Sequence, residues 1–363
     1  MSIARQMMMA AAGAGGGPDL TQGVVAISHN GSPYITAYPW NDVTGFGTKY
    51  ANPATLITNV GTGVAFSPSG DALAVAHFSS PYVSAYPWDD VTGFGTKYAN
   101  PATLLPNNAY GAAFSPSGAA LAFAHRDSPY VSAYSWDDAT GFGTKYANPA
   151  TLPPNVAYGA AFSPSGAVLA VAHGTSPYVT AYPWDDVTGF GTKYANPATS
   201  LPNTAYGVAF SPSGDALAVA HGNNPYVSAY SWDDTNGFGT KYANPATLIP
   251  ALSYGVAFSP SGAALAFAHG NNPYVSAYSW DDATGFGAKY ANPASLLTNT
   301  GVGVAFSPSG AALAVAYNGI PYMVAYSWDD STGFGTKYAD PATLPTGAPA
   351  VGGPSVTFKA LTP

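Results

Sequence analysis

Seven tryptophans stand at Trp40, Trp88, Trp136, Trp184, Trp232, Trp280 and Trp328, each 48 residues after the last, and no other Trp occurs. A period of this length that runs without insertion or deletion dictates a chain built by stacking one supersecondary unit, because such a unit cannot bury its apolar face alone. The fold must therefore set seven equivalent units side by side.

One repeat reads as four short strands. Gly207 to Ser211 alternates large and small residues and forms strand A, and Pro212-Ser213-Gly214 supplies a turn in which Pro presets φ and Gly closes the reversal. Strand B is Ala216 to His221, with Leu217, Val219 and His221 on one face and Ala216, Ala218 and Ala220 on the other, so that neighbouring sheets can approach closely. Strand C runs from Tyr226 to Trp232, and Asp233-Asp234-Thr235-Asn236-Gly237 follows as a turn. Strand D runs from Phe238 to about Ala243 and stops before Asn244-Pro245. Four antiparallel strands repeated seven times predict an all-β fold, a seven-bladed β-propeller.

The chain ends predict how the ring closes. The first motif begins at strand B, Val24 to His29, with no strand A before it. Ser355-Val356-Thr357-Phe358-Lys359 matches Gly303-Val304-Ala305-Phe306-Ser307 after a Gly/Pro-rich insertion at Thr346 to Pro354. The propeller is thus expected over 23–363, closed by a C-terminal strand at 355–360 that joins the N-terminal blade and leaves no open sheet edge. Residues 1–22 carry no repeat and read as an N-terminal tail or anchor, where Gly13 to Gly17 break any helix begun around Met7, Met8 and Met9.

Charge is sparse and periodic: all 18 acids are Asp, and seven of the ten bases are the one Lys per repeat from Lys49 to Lys337. A net charge of −8 argues against nucleic acid, whose binding needs clustered Lys and Arg to release counterions. The absence of Cys excludes disulfides and thiolate metal sites, and no apolar run reaches the ~18 residues of a membrane span.

Phe210-Ser211-Pro212-Ser213-Gly214, the Leu-Ala-Val-Ala run after it and Trp136-Asp137-Asp138-Ala139-Thr140-Gly141 resemble the WD-repeat propeller family, over residues from about 23 to 360. The family's Ser at the end of strand B is here His29, His77, His125, His173, His221 or His269, and Tyr317 in the last repeat. The B-to-C loop also carries a longer Ser-Pro-Tyr or Asn-Pro-Tyr element, so the family's hydrogen-bond network does not carry over. The Ala-His-x-x-Ser-Pro-Tyr wording and the Met- and Ala-rich leader resemble propeller proteins of tailed-bacteriophage virions. That resemblance implies a tail, fibre or capsid-surface component located in the virion, with a secreted or cytoplasmic setting as alternatives.

Candidate chemistry is multiplied sevenfold, whereas catalysis needs an asymmetric set of groups, and strand A offers an axis only Val, Ala, Phe, Ser and Gly. No catalytic residue, cofactor or metal site is assigned, and the chain is expected not to be an enzyme. The six His read as hydrogen-bonded structural residues. Acidic doublets such as Asp137-Asp138 read as turn caps, with a calcium site as the alternative. Gly93-Phe94-Gly95-Thr96-Lys97 reads as strand D and not as a phosphate loop.

The repeats differ from one another in the B-to-C and D-to-A loops, which emerge on the same side of a propeller. Phe78, Arg126, Asp127, Thr175, Asn223, Asn224, Asn271 and Asn272 vary in the former; Tyr110, Tyr158, Tyr206 and Tyr254 stand before strand A in four repeats, with Thr62 and Val302 at that place elsewhere. These residues form the candidate binding face. They are expected to dock other virion proteins or a host-surface receptor, as a non-enzymatic structural or adhesive module. The alternative is a multivalent lectin with one weak glycan site per blade.

Overall fold

Alternation along strand B fixes how neighbouring sheets meet. In the computed structural model, which describes residues 23–350, 353 and 355–361, the strand Ala216–His221 is buried along its whole length. Its Ala216, Ala218 and Ala220 pack against Leu265 and Phe267 of the following sheet. Leu217 and Val219, on the other face, pack against Ala170 and Ala172 of the preceding one. Small residues on one face and large ones on the other thus interlock around the ring, each buried Leu or Val contributing about 1.5–3 kcal/mol.

Seven four-stranded antiparallel sheets result, so the propeller is observed. Blade 5 has strand A at Ala205–Phe210, B at Ala216–His221, C at Val227–Asp233 and D at Gly237–Lys241. Strand C starts one residue later than the alternation predicts, because Tyr226 has φ of 68°, a left-handed conformation that no strand accommodates.

Strand D varies in length for a reason written in strand C. Where Pro39, Pro87 or Pro183 precedes the Trp, strand D shrinks to two residues, as at Gly93–Phe94. Where Ser135, Ser231, Ser279 or Ser327 stands there, it keeps five. Proline has no N–H to offer a ladder.

Closure follows the expected route. Val356–Ala360 pairs antiparallel with Gly23–Ser28, Phe358 lying opposite Val25. Phe358 meets Trp40 edge to face at 5.3 Å, as Phe306 meets Trp328 at 5.2 Å. Each Trp is gripped by three rings: Trp232 touches Tyr194 of the preceding blade, Phe210 of strand A and Phe238 of strand D. The expected tail at 1–22 lies outside the described residues.

The strands A converge on the axis through glycine. A Cβ on Gly207 would lie 2.6 Å from the Tyr254 carbonyl, and one on Gly159 would lie 2.7 Å from that of Tyr206. Where they converge, a cavity of about 40 Å³ is lined by Gly159, Gly207, Gly255, Gly303 and Gly353. Among the described residues no helix is long and apolar enough to cross a membrane.

Candidate site on the variable face

The seven B-to-C loops share one backbone. Each holds a cis X-Pro bond followed by a Tyr with φ between 67° and 72°. In blade 3, Tyr130 closes the loop by accepting from the His125 amide at 2.8 Å and donating its own amide to the Asp127 carbonyl at 2.8 Å. The same pair of bonds recurs at His221 and Tyr226. Only the side chains just after the His differ, so a constant frame displays a changing set of groups.

Beneath this frame lie the histidines. Nε2 of His77, His125, His221 and His269 sits 3.0 Å from the hydroxyl of Ser84, Ser132, Ser228 and Ser276, and that of His29 sits 2.9 Å from Thr36 Oγ1. Burial pushes each of these rings, and that of His173, down to about pKa 4, so they are neutral structural groups at pH 7.

Above them four tyrosines form a continuous arc. Expected in the loops before strand A, they lie at its second residue, because the ladder to strand B begins one residue earlier, as at Ala205 opposite His221. Tyr110, Tyr158, Tyr206 and Tyr254 follow one another at ring-centroid spacings of 5.2 Å, tilted by 50–58°. Phe78 extends the arc, meeting Tyr110 edge to face at 5.3 Å. Blade 2 uses Phe78 because Thr62, at the tyrosine's place, is buried and donates its hydroxyl to the carbonyl of Ala109 at 2.7 Å. The arc stops at buried Val302.

Arg126 and Asp127 break the arc's uniformity. They are the only charged side chains in the seven B-to-C loops, and both are exposed. With Tyr110, Tyr130, Asn155 and Tyr158 they line an open pocket of about 570 Å³. Asn107 Nδ2 donates to Asp127 Oδ2 at 2.8 Å and aims the carboxylate. Burial raises the pKa of Tyr158, and nearby Arg126 pulls against it, so the phenol remains a hydrogen-bond donor at pH 7.

The remaining residues expected on this face extend away from the pocket. Thr175 accepts from Asn155 Nδ2 at 2.9 Å. Asn223 and Asn271 each cap the next amide, that of Asn224 and of Asn272, at 3.0 and 2.9 Å, and all four are exposed. The structure thus gathers the expected residues on one face. It adds Asn107, Asn155 and Tyr130, which repetition alone did not single out, and Gly353, where a Cβ would lie 2.1 Å from the Tyr110 carbonyl.

The acidic doublets belong to the opposite face. Asp233 caps the amides of Thr235 and Asn236 at 3.0 and 2.8 Å. Asp234 accepts from Trp232 Nε1 at 2.8 Å and from Ser165 of the preceding blade at 2.5 Å. Their oxygens serve turns and blade junctions, in accord with the capping reading. Among the described residues no cluster of three His, Cys, Asp or Glu is placed to hold a metal ion.

No family model matches the chain, and no curated protein matches it in sequence. Solved structures do match. A protein from Bacteroides fragilis, assigned as a 6-phosphogluconolactonase, aligns with a TM-score of 0.74 at 14% identity, over 95% of this chain and 100% of its own. A counterpart from Bacteroides uniformis gives 0.67 at 16%, over 93% and 100%. A periplasmic gluconolactonase from Pseudomonas aeruginosa gives 0.68 at 15%, over 94% and 99%. At these identities the likeness establishes the seven-bladed propeller.

It also corrects the functional expectation. The chain was expected to be a non-enzymatic virion module, with a lectin of seven equal sites as the alternative. The whole frame is instead shared with proteins named for lactone hydrolysis. The expectation weighed groups repeated sevenfold, whereas Arg126 and Asp127 occur once among the B-to-C loops. None of the similar structures named here is a virion or WD-repeat protein.

Proposed function

We propose that the chain is a hydrolase acting on a sugar-derived lactone in the Arg126 pocket. One observation carries the reading: the single cation and the single carboxylate of the B-to-C loops stand together in an open pocket lined by three tyrosines. The neighbours named for lactone hydrolysis support it. A sugar ring presents an apolar face to Tyr110 or Tyr158 and hydroxyls to Asn155.

The chemistry asks little of the protein. The Asp127 carboxylate takes a proton from water as the water oxygen bonds to the lactone carbonyl carbon, and the Arg126 guanidinium stabilises the oxyanion that forms. Collapse of that intermediate breaks the ring C–O bond, and the departing alkoxide recovers the proton from Asp127. The product is the open-chain acid, whose carboxylate, or a phosphate on the substrate, also suits Arg126.

The test is hydrolysis of glucono-δ-lactone and its 6-phosphate, corrected for the rate in buffer. Asp127→Asn should lower kcat/KM about 100-fold or more, and Arg126→Ala should lower it by about 10–100-fold. A wild-type protein that accelerates neither lactone would overturn the proposal.

A further inference from the structure

Three glycines follow the histidines in successive blades: Gly174, Gly222 and Gly270 stand where blades 2 and 3 carry Phe78 and Arg126. At Gly222 the backbone does not require glycine. Its φ is not in the left-handed region, and the nearest atoms to a Cβ there would be the Asn203 side chain at 3.5 Å and the Tyr206 ring at 3.6 Å, ordinary contacts. What glycine provides is the room of one absent side chain beside the Tyr206 ring. Beside that space stands an exposed amide, Asn223, whose counterpart in the next blade is Asn271. An amide offers two donors and an acceptor at once, which suits vicinal hydroxyls. The B-to-C loops beyond blade 3 carry no charge, so nothing on this stretch selects an anion.

We infer that the arc from Tyr158 to Tyr254 continues the Arg126 pocket as a row of neutral sugar subsites. The substrate class is then an oligosaccharide whose terminal residue is the lactone, held by its reducing end at Arg126 and by stacking of its inner residues on Tyr206. This rests on the lactone reading for the reacting end alone. The row is one asymmetric track, since Phe78 and Arg126 fill the corresponding space in blades 2 and 3.

Two measurements separate the inference from the activity it extends. The first is the ratio of kcat/KM for the lactone of cellotetraose to that of glucose. It should exceed about 10 in the wild-type protein, a tenfold gain being about 1.4 kcal/mol of added binding, and fall towards one in Gly222→Leu. The second is binding of cellotetraose itself, which cannot react, followed calorimetrically; Gly222→Leu should weaken it at least tenfold. Binding that is lost in Gly222→Leu, with no lactone hydrolysed, supports the subsites and overturns the activity. Hydrolysis of both lactones at equal kcat/KM, with no cellotetraose bound, overturns the subsites and leaves the activity standing. A protein that neither hydrolyses nor binds overturns both.

Discussion

The two faces of the ring are made from the same repeats yet obey opposite rules. On the uniform face six of the seven junctions are closed by one clasp: Ser213, for instance, donates to Asp282 of the next blade at 2.5 Å, and Trp280 Nε1 is held by the same carboxylate. On the variable face the backbone is equally regular, but the side chains at one position range from Gly to Phe to Arg. Regularity that includes the side chain builds the ring, and regularity confined to the backbone leaves a surface free to specialise. On the proposed reading, function sits where the symmetry ends.

Acid should separate the faces most strongly. The histidines under the variable face have pKa values near 4 in the folded chain against an ordinary 6.5, so as pH falls the unfolded chain takes up protons first. Stability is then complete above pH 6.5 and drains away down to pH 4, by about 1.4 kcal/mol per pH unit for each ring. The caps of the uniform face hold longer, since hydrogen bonds led by the Thr140 amide keep Asp137 below the ordinary carboxylate range. Thermal melts at pH 7, 5.5 and 4.5 should show a steep loss of Tm. A flat profile between pH 7 and 5 would mean that these rings are not buried as neutral groups.

The seam sharpens the rule from the other side, as the one place where the uniform face departs from its own pattern. The closing strand carries Lys359 where six repeats carry the first Ser of the A-to-B turn. Lys359 is buried, pairs with Asp90 at 2.5 Å and donates to the Gly70 carbonyl at 3.0 Å. A longer cationic arm replaces the serine clasp where the ring is shut by the C-terminus. Lys359→Ala should cost about 3 kcal/mol in denaturant unfolding, several times the loss at an ordinary junction. A cost under about 1 kcal/mol would show that blade packing alone holds the seam.

Most of the fold is legible in the sequence because the Trp spacing and the turn chemistry agree at every repeat. Strand D was read less well: it was expected to run from Phe238 to about Ala243, whereas it spans Gly237–Lys241 and shrinks to Gly93–Phe94 where Pro87 takes the place of a serine. The candidate site was only half legible. Tyr110, Tyr158, Tyr206 and Tyr254 can be listed from spacing, whereas their contact depends on how closely glycine lets the inner strands approach. That Phe78 continues the arc is hidden, since it comes from a B-to-C loop. Arg126 and Asp127 were visible as loop residues, and their weight emerges only when the pocket around them is seen.

The smallest effect is the most direct contrast between the faces, and it needs two variants of similar exposure. Ser213→Ala removes a donor to Asp282 and the acceptor of the Asp215 amide at 3.1 Å, and should destabilise by about 1 kcal/mol, because hydrogen bonds to a charged group keep part of their strength even in water. Asn223→Ala removes only a cap on the Asn224 amide and should stay within about 0.5 kcal/mol. Denaturant midpoints of the two proteins measure this directly. Equal losses would mean that the variable loops carry as much of the ring's stability as the clasps do. A loss confined to Ser213→Ala means that Asn223 is dispensable for the ring, as a residue kept for a ligand should be.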